Sequence, residues 1–256
     1  MSLSVLTFLS NKRLFIQRIQ NSEFVRHVGT LATGSLLAQV VSLAASPIIA
    51  RLYDPNSYAV LALFMAIVST IAPAASGRYE IAIVVAKNDQ DSDALVVLSL
   101  WFAGGISLVM LLMCVLGEHQ LKGLLNADSL GLWWLMVPVM LFLTAAVAVF
   151  KYYANRHKRY SLISRMMIAQ ALFGAVLSIC LGVAGFKADG LLVSALFGTL
   201  FGVIYLLYIY RKKILDLKWR FSIKVWAIAL RYSQFPLYNA LPSFLDSLTL
   251  SLPIFF

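Results

Sequence analysis

Apolar residues run along this chain in long blocks separated by short polar interruptions. The blocks fall at roughly 27–50, 58–85, 94–117, 131–150, 162–184, 190–210 and 233–256. Each meets or approaches the ~20 apolar residues that carry an α-helix across a bilayer. They are rich in Leu, Ala, Val and Ile, without the weak ~10-residue alternation of an outer-membrane barrel. The pattern predicts an all-α polytopic membrane protein with six complete crossings and the start of a seventh. Most connections are short, so consecutive helices are expected to run antiparallel as neighbours.

Two stretches follow a different rhythm. In "KRLFIQRIQNSEFVRH", Leu14, Phe15, Ile19 and Phe24 alternate with basic residues at near-helical spacing. This predicts an amphipathic arm over 1–26 that lies on an anionic membrane surface. Residues 211–231 have the same character, with Trp219 and Trp226 placed for headgroup depth. As the longest connection, 211–231 is also the expected linker between helical lobes.

Composition agrees with the pattern. Hydrophobic residues make up 61% of the 256 and charged residues 12%, and the mean hydropathy of +0.85 excludes a water-soluble domain. The net charge of +10 would suit a nucleic-acid partner, but its distribution supplies another reason. Of the 21 Lys and Arg residues, 17 fall in the N-terminal arm, in the connections after the second, fourth and sixth blocks or, for Arg165, just inside the fifth block on the same side. Arg51, Lys122 and Lys187 fall on the other side. This bias places the N-terminus in the cytoplasm and makes a nucleic-acid partner unnecessary. Cys114 and Cys180 lie in apolar blocks without metal-ligand spacing and read as small core hydrophobes. No HExxH, GxSxG, Walker or Rossmann pattern occurs, so neither an enzyme nor a bound cofactor or metal is expected.

The costly residues are the polar ones inside apolar blocks. In "IAPAASGRYEIAIVV", Arg78 and Glu80 sit two apart. On a continuous helix from Tyr58, Arg78 lies about 30 Å along, toward the cytoplasmic side. Residues two apart point to different faces, so the pair is not expected to neutralise itself. Arg78 reads either as a snorkelling cation or as a guanidinium holding an anionic headgroup. Glu80 reads as a structural partner for a basic residue elsewhere, such as Lys151 or Arg165, or as a proton or cation site. Asp246 falls near mid-membrane in the last block, where a carboxylate costs ~2.5 to 3.5 kcal/mol on insertion scales. It is expected to face a cavity or an interhelical hydrogen bond. Gln234, Asn239 and Ser243 add polarity there, and Pro236, Pro242 and Pro253 predict a bent helix. Gln39 with Pro47 reads as a polar lining residue near a kink, or as a hydrogen bond to a neighbouring helix. "GTLFG" at 198–202 has the spacing of close helix packing.

The run "GTLATGSLLAQVVSLAASPIIARLYDPNSYAVLALF" and the following "GRYEIAIVVAKNDQDSDAL" resemble the start of Wzx-type polysaccharide flippases. These belong to the superfamily of multidrug, oligosaccharidyl-lipid and polysaccharide exporters. The features that carry the resemblance are Gly29, Gln39, Pro47, the "RLYDP" turn containing Arg51, "RYE" at 78–80, Ala82 and the acidic "DQDSDAL". Ala59 stands where the family usually has Gly. The resemblance covers the first ~100 residues; beyond them only helix count and loop polarity agree.

It implies two six-helix lobes facing across a central cavity. Residues 27–210 would form the N-terminal lobe, 211–231 the linker, and 232–256 the first helix of a further lobe, the chain being a fragment of a longer transporter. The implied activity is alternating-access transfer of an undecaprenyl-pyrophosphate-linked oligosaccharide across the inner membrane. Partners would be that lipid-linked sugar, membrane lipids and the polysaccharide polymerase machinery. Arg78, Asp246, Gln39 and Asn239 would serve headgroup and cavity, with Glu80, Pro47 and Arg51 in structural or coupling roles. The rival readings are a cation-coupled drug antiporter, a membrane glycosyltransferase or polymerase, and a half-transporter that dimerises or is inactive.

Overall fold

The computed structural model describes residues 23–117, 120, 122, 123, 127–216 and 223–255. The predicted arm before residue 23 and Trp219 of the linker lie outside them. The helices are α1 (Glu23–Leu52), α2 (Pro55–Ala75), α3 (Tyr79–Val85), α4 (Asp89–Leu116), α5 (Val137–Arg156), α6 (Tyr160–Val183), α7 (Ala188–Asp216), α8 (Ile223–Arg231) and α9 (Leu241–Phe255). A 3-10 segment, Asp128–Met136, leads into α5, and a π-turn, Pro236–Ala240, leads into α9. No strand occurs among the described residues. Among the described residues, six helical segments are long and apolar enough to span a membrane: 28–52, 55–75, 89–116, 129–156, 160–183 and 188–211. The chain is a multi-pass all-α membrane protein.

The second apolar block departs from the expected single helix. α2 ends at Ala75, and Gly77 and Arg78 both take left-handed backbone angles, with φ of 62° and 58°. The chain then restarts as the seven-residue α3. Gly77 suits this turn because it has no Cβ to clash there; Arg78 adopts the same region as a bulky residue, which is uncommon. Pro73 lies in the last turn of α2. α1, by contrast, continues through Pro47 without a break.

α2, α3, α4, α5 and α7 form the body of the protein. One apolar cluster centres on Phe64, Ile67, Trp134 and Leu141. A second joins α3, α4, α5 and α7 through Ile83, Leu95, Phe150 and Leu206. Trp134 is fully buried and donates its Nε1 to the Cys114 carbonyl at 3.1 Å. At the basic end of the bundle, the acidic start of α4 collects cations from three elements. Asp89 pairs with Arg156 of α5 at 3.2 Å, and Asp91 with Arg231 of α8 at 3.3 Å. Asp93 accepts from the Tyr153 hydroxyl at 2.8 Å and lies 3.9 Å from Lys213 of α7. Arg156 also donates to the carbonyls of Ile83, Val84 and Ala86 at 3.2, 3.3 and 2.8 Å, capping the end of α3.

α1 and α6 stand apart from this body. α1 packs along α6 and hardly against any other helix, while α6 rests mainly on α7. At the basic end Ser164 donates to the Thr30 carbonyl at 2.8 Å. That approach requires Gly34, since a Cβ there would lie 2.2 Å from the Ser164 Cβ. At the opposite end the Tyr53 hydroxyl donates to the Ser178 carbonyl at 2.7 Å, with Gly182 lying against Leu52 and Tyr53.

Candidate functional site

Between the α1–α6 pair and the body lies an open cavity of about 640 Å³. Its two sides differ in chemistry. α1, α6 and α7 contribute Ser42, Ser46, Gln170, Ser178, Ser194 and Thr199, separated by Ala and Gly. α2 and α5 contribute Tyr58, Leu61, Met65, Met140 and Val147, together with Lys151. Ser42, Ser194 and Thr199 donate their hydroxyl protons to carbonyls of their own helices at 3.1, 2.9 and 3.0 Å. Their lone pairs are left to meet a ligand's O–H or N–H groups. A helical Ser or Thr bonded in this way stays compatible with an apolar span while presenting a polar surface.

Among the described residues, Lys151 is the only charged one that lines the cavity, and no carboxylate does. It stands on α5, one turn beyond Val147, and makes no hydrogen bond or ion pair among the described residues. An unpaired ammonium on a partly apolar wall is costly and favours an anionic occupant. A second groove of about 570 Å³ adjoins the cavity through Ala38, Ser42, Met167 and Ala171. Gln39 lines this groove with Ser35.

The other sequence candidates lie elsewhere. Arg51 is exposed in the last turn of α1, and Pro47 is exposed one turn before it. Asn239 is exposed in the π-turn, and Asp246 is exposed on α9, which packs against α2. None of these four lines the cavity, nor do Arg78 and Glu80.

The expectation that Arg78 and Glu80 point apart is overturned. Arg78 Nη1 lies 3.6 Å from Glu80 Oε1, and the Ser76 hydroxyl donates to Glu80 Oε2. The break at 76–78 folds the Arg78 side chain back over the start of α3, whereas an unbroken helix would have turned the two residues to different faces. Glu80, 3% exposed, therefore has its partners within its own turn and not in Lys151 or Arg165. Arg78 Nε is buried without a hydrogen-bond partner. Removing one member of such a buried pair costs about 3–5 kcal/mol because the other charge is stranded.

The sequence reading missed the cavity because its polar groups are modest ones. Gln170, Ser178, Ser194 and Thr199 are scattered through otherwise apolar blocks, and only packing shows that they converge. Gln170, mid-block in 162–184, was the available signal. The helix break also had one, in Pro73 and Gly77 four residues apart.

Outside the spans, Asp54 caps α2. It accepts from the Ser57 hydroxyl and from the Ser57 N–H at 2.9 Å. The Ser57 hydroxyl, followed by its N–H, holds the Asp54 carboxyl below the usual carboxylate range.

No curated protein and no solved structure matches the chain. A family model described as polysaccharide biosynthesis protein matches residues 48–254, taking in the cavity wall from α2 to α7 and continuing into α9. The multi-pass helical architecture and this match over most of the chain place the protein in the polysaccharide biosynthesis protein family.

Proposed function

We propose that the protein is a flippase that moves an undecaprenyl-pyrophosphate-linked oligosaccharide across the bacterial inner membrane by alternating access. The observation that carries this reading is a cavity lined by hydroxyl and amide groups, with one cation and no carboxylate among the described residues. Sugar hydroxyls match the accepting wall formed by Ser42, Ser194 and Thr199. The negative charge of a pyrophosphate or an acidic sugar matches Lys151, whose attraction is strengthened away from bulk water. A cation-coupled drug antiporter would call for acidic groups in this position, and a glycosyltransferase for acid, base or nucleophile clusters; the lining favours neither.

In this reading the basic end faces the cytoplasm, following the Lys and Arg bias, and the N-terminus lies there too. Arg78 and Asp246 serve outside the cavity itself, Arg78 near the basic end, where an anionic headgroup enters. The prenyl tail stays in the bilayer, and the translocated sugar passes to polymerase machinery on the far side.

Complementation of a deletion strain with the full-length gene tests the assignment. Lys151→Glu should abolish surface polysaccharide and accumulate lipid-linked sugar inside the cell, while Lys151→Arg retains export and both variants reach the membrane. Normal export by Lys151→Glu would sink the reading. Altered drug sensitivity with unchanged polysaccharide would favour the antiporter.

A further inference from the structure

The cavity has one wall that belongs to the body and one that does not. In the apolar windows of α2, α4, α5 with its 3-10 lead, and α7, 44–50% of residues are buried inside the protein; in α1 and α6 the shares are 6% and 11%. The two helices are nevertheless pinned to each other at both ends, by Ser164 to Thr30 beside Gly34 and by Tyr53 to Ser178 beside Gly182. They are thus strongly joined to one another and weakly joined to everything across the cavity.

Their attachment to the body is of a different kind. Where α6 meets α7, a Cβ on Gly198 would lie 3.6 Å from the Gly174 Cα, so the two backbones are nearly in contact. Gly202 faces the end of the Gln170 side chain, and Phe173 stacks on Phe201 with ring centroids 4.8 Å apart and 10° between planes. Gly198 and Gly202 are the glycines of "GTLFG". Toward the basic end α6 interlocks with the body through Ile163 and Met166, which are buried with Val203 and Leu206 of α7; beyond that point the seam of glycines and flat stacked rings has few interlocking side chains to resist a swing. The body has the opposite character, with the fully buried Trp134 and three ion pairs at the start of α4.

We propose that α1 and α6 move together as one rigid arm on the Gly174–Gly198–Gly202 seam, and that this motion widens and narrows the cavity while the body stays fixed. Swinging the arm changes the distance from Ser42, Ser46 and Gln170 to Lys151 and Met65, which lie on opposite walls. The arm's internal bonds are unaffected, because both pins lie within it. Hinged motion of packed elements is an established kind of transition, and here the end held by Ile163 and Met166 is the natural hinge, while the Gly174–Gly198 end lacks deep interdigitation. The competing device is a bend of α1 alone at Pro47, which would pull α1 off α6.

Spin-label distance distributions on the full-length protein in phosphatidylethanolamine–phosphatidylglycerol nanodiscs distinguish these devices, with Cys180→Ser removing the exposed thiol. Leu43, Val176, Leu108 and Val139 are exposed sites on α1, α6, α4 and α5. Labels at 43 and 176 report within the arm, at 108 and 139 within the body, and at 43 and 139 between them. The first two distributions should be narrow, and the third about twofold broader or split into two peaks. Gly198→Leu, by wedging the seam, should narrow the third. A third distribution as narrow as the other two overturns the proposal. So does a broad 43–176 distribution, which would point to a bend in α1. The wild-type seam decides the matter even if Gly198→Leu fails to fold, and the readout is independent of what the transporter carries.

Discussion

The arm and the body are built from similar residues but held by different physics. In the body, large side chains interlock: Trp134, Phe64, Ile83 and Leu141 are essentially inaccessible, and ion pairs tie α4 to α5, α7 and α8. In the arm, small residues let two backbones approach, and two hydrogen bonds set the register. Lipid is as apolar as leucine, so exposed leucines on α1 lose little by facing it, and close packing and hydrogen bonds become the main source of helix association. The contrast assigns stability to one region and adjustability to the other.

The largest expected effect lies in the body. Trp134→Ala should destabilise the detergent-solubilised protein by about 3–5 kcal/mol, as large-to-small changes at buried aromatics do. Leu43→Ala, at an exposed position on the arm, should shift the thermal midpoint hardly at all. Equal losses at the two positions would remove the distinction between the regions.

Next is a substitution aimed at the arm. Gly34→Leu places atoms where the Ser164 side chain and backbone now sit, and overpacking of this kind costs about 1–3 kcal/mol. The damage should be local: faster amide exchange along α1, with protection at Trp134 and Leu141 unchanged. Loss of protection across the whole molecule would mean that arm and body fold as one unit.

The smallest effect tests the joint between the regions, where Asp54 follows α1 and caps α2. Its carboxyl is held below the usual range in the folded protein, so its contribution is present above the ordinary carboxylate pKa. It is lost as pH falls through the lowered folded value. Acidification below pH ~4 should lower the thermal midpoint slightly more in the wild type than in Asp54→Asn. Parallel pH curves for the two proteins would show that the cap carries no measurable charge-dependent stability.

The sequence alone determined the class and the crossings, because a bilayer demands ~20 apolar residues per helix and every backbone group satisfied internally. The six long blocks and the basic loops could therefore be read directly, and the acidic run at 89–93 stood out among them. What the carboxylates in that run do was decided by packing, since Arg156, Lys213 and Arg231 come from distant parts of the chain. The Arg78–Glu80 pair shows the same limit at short range. Periodicity assumes an unbroken helix, and two left-handed residues at 77–78 bring together side chains that the period would separate. The cavity was least visible of all. Hydroxyls, an amide and one lysine spread over five helices carry no sequence motif. They become a site only when tertiary structure sets α1 and α6 across from the body.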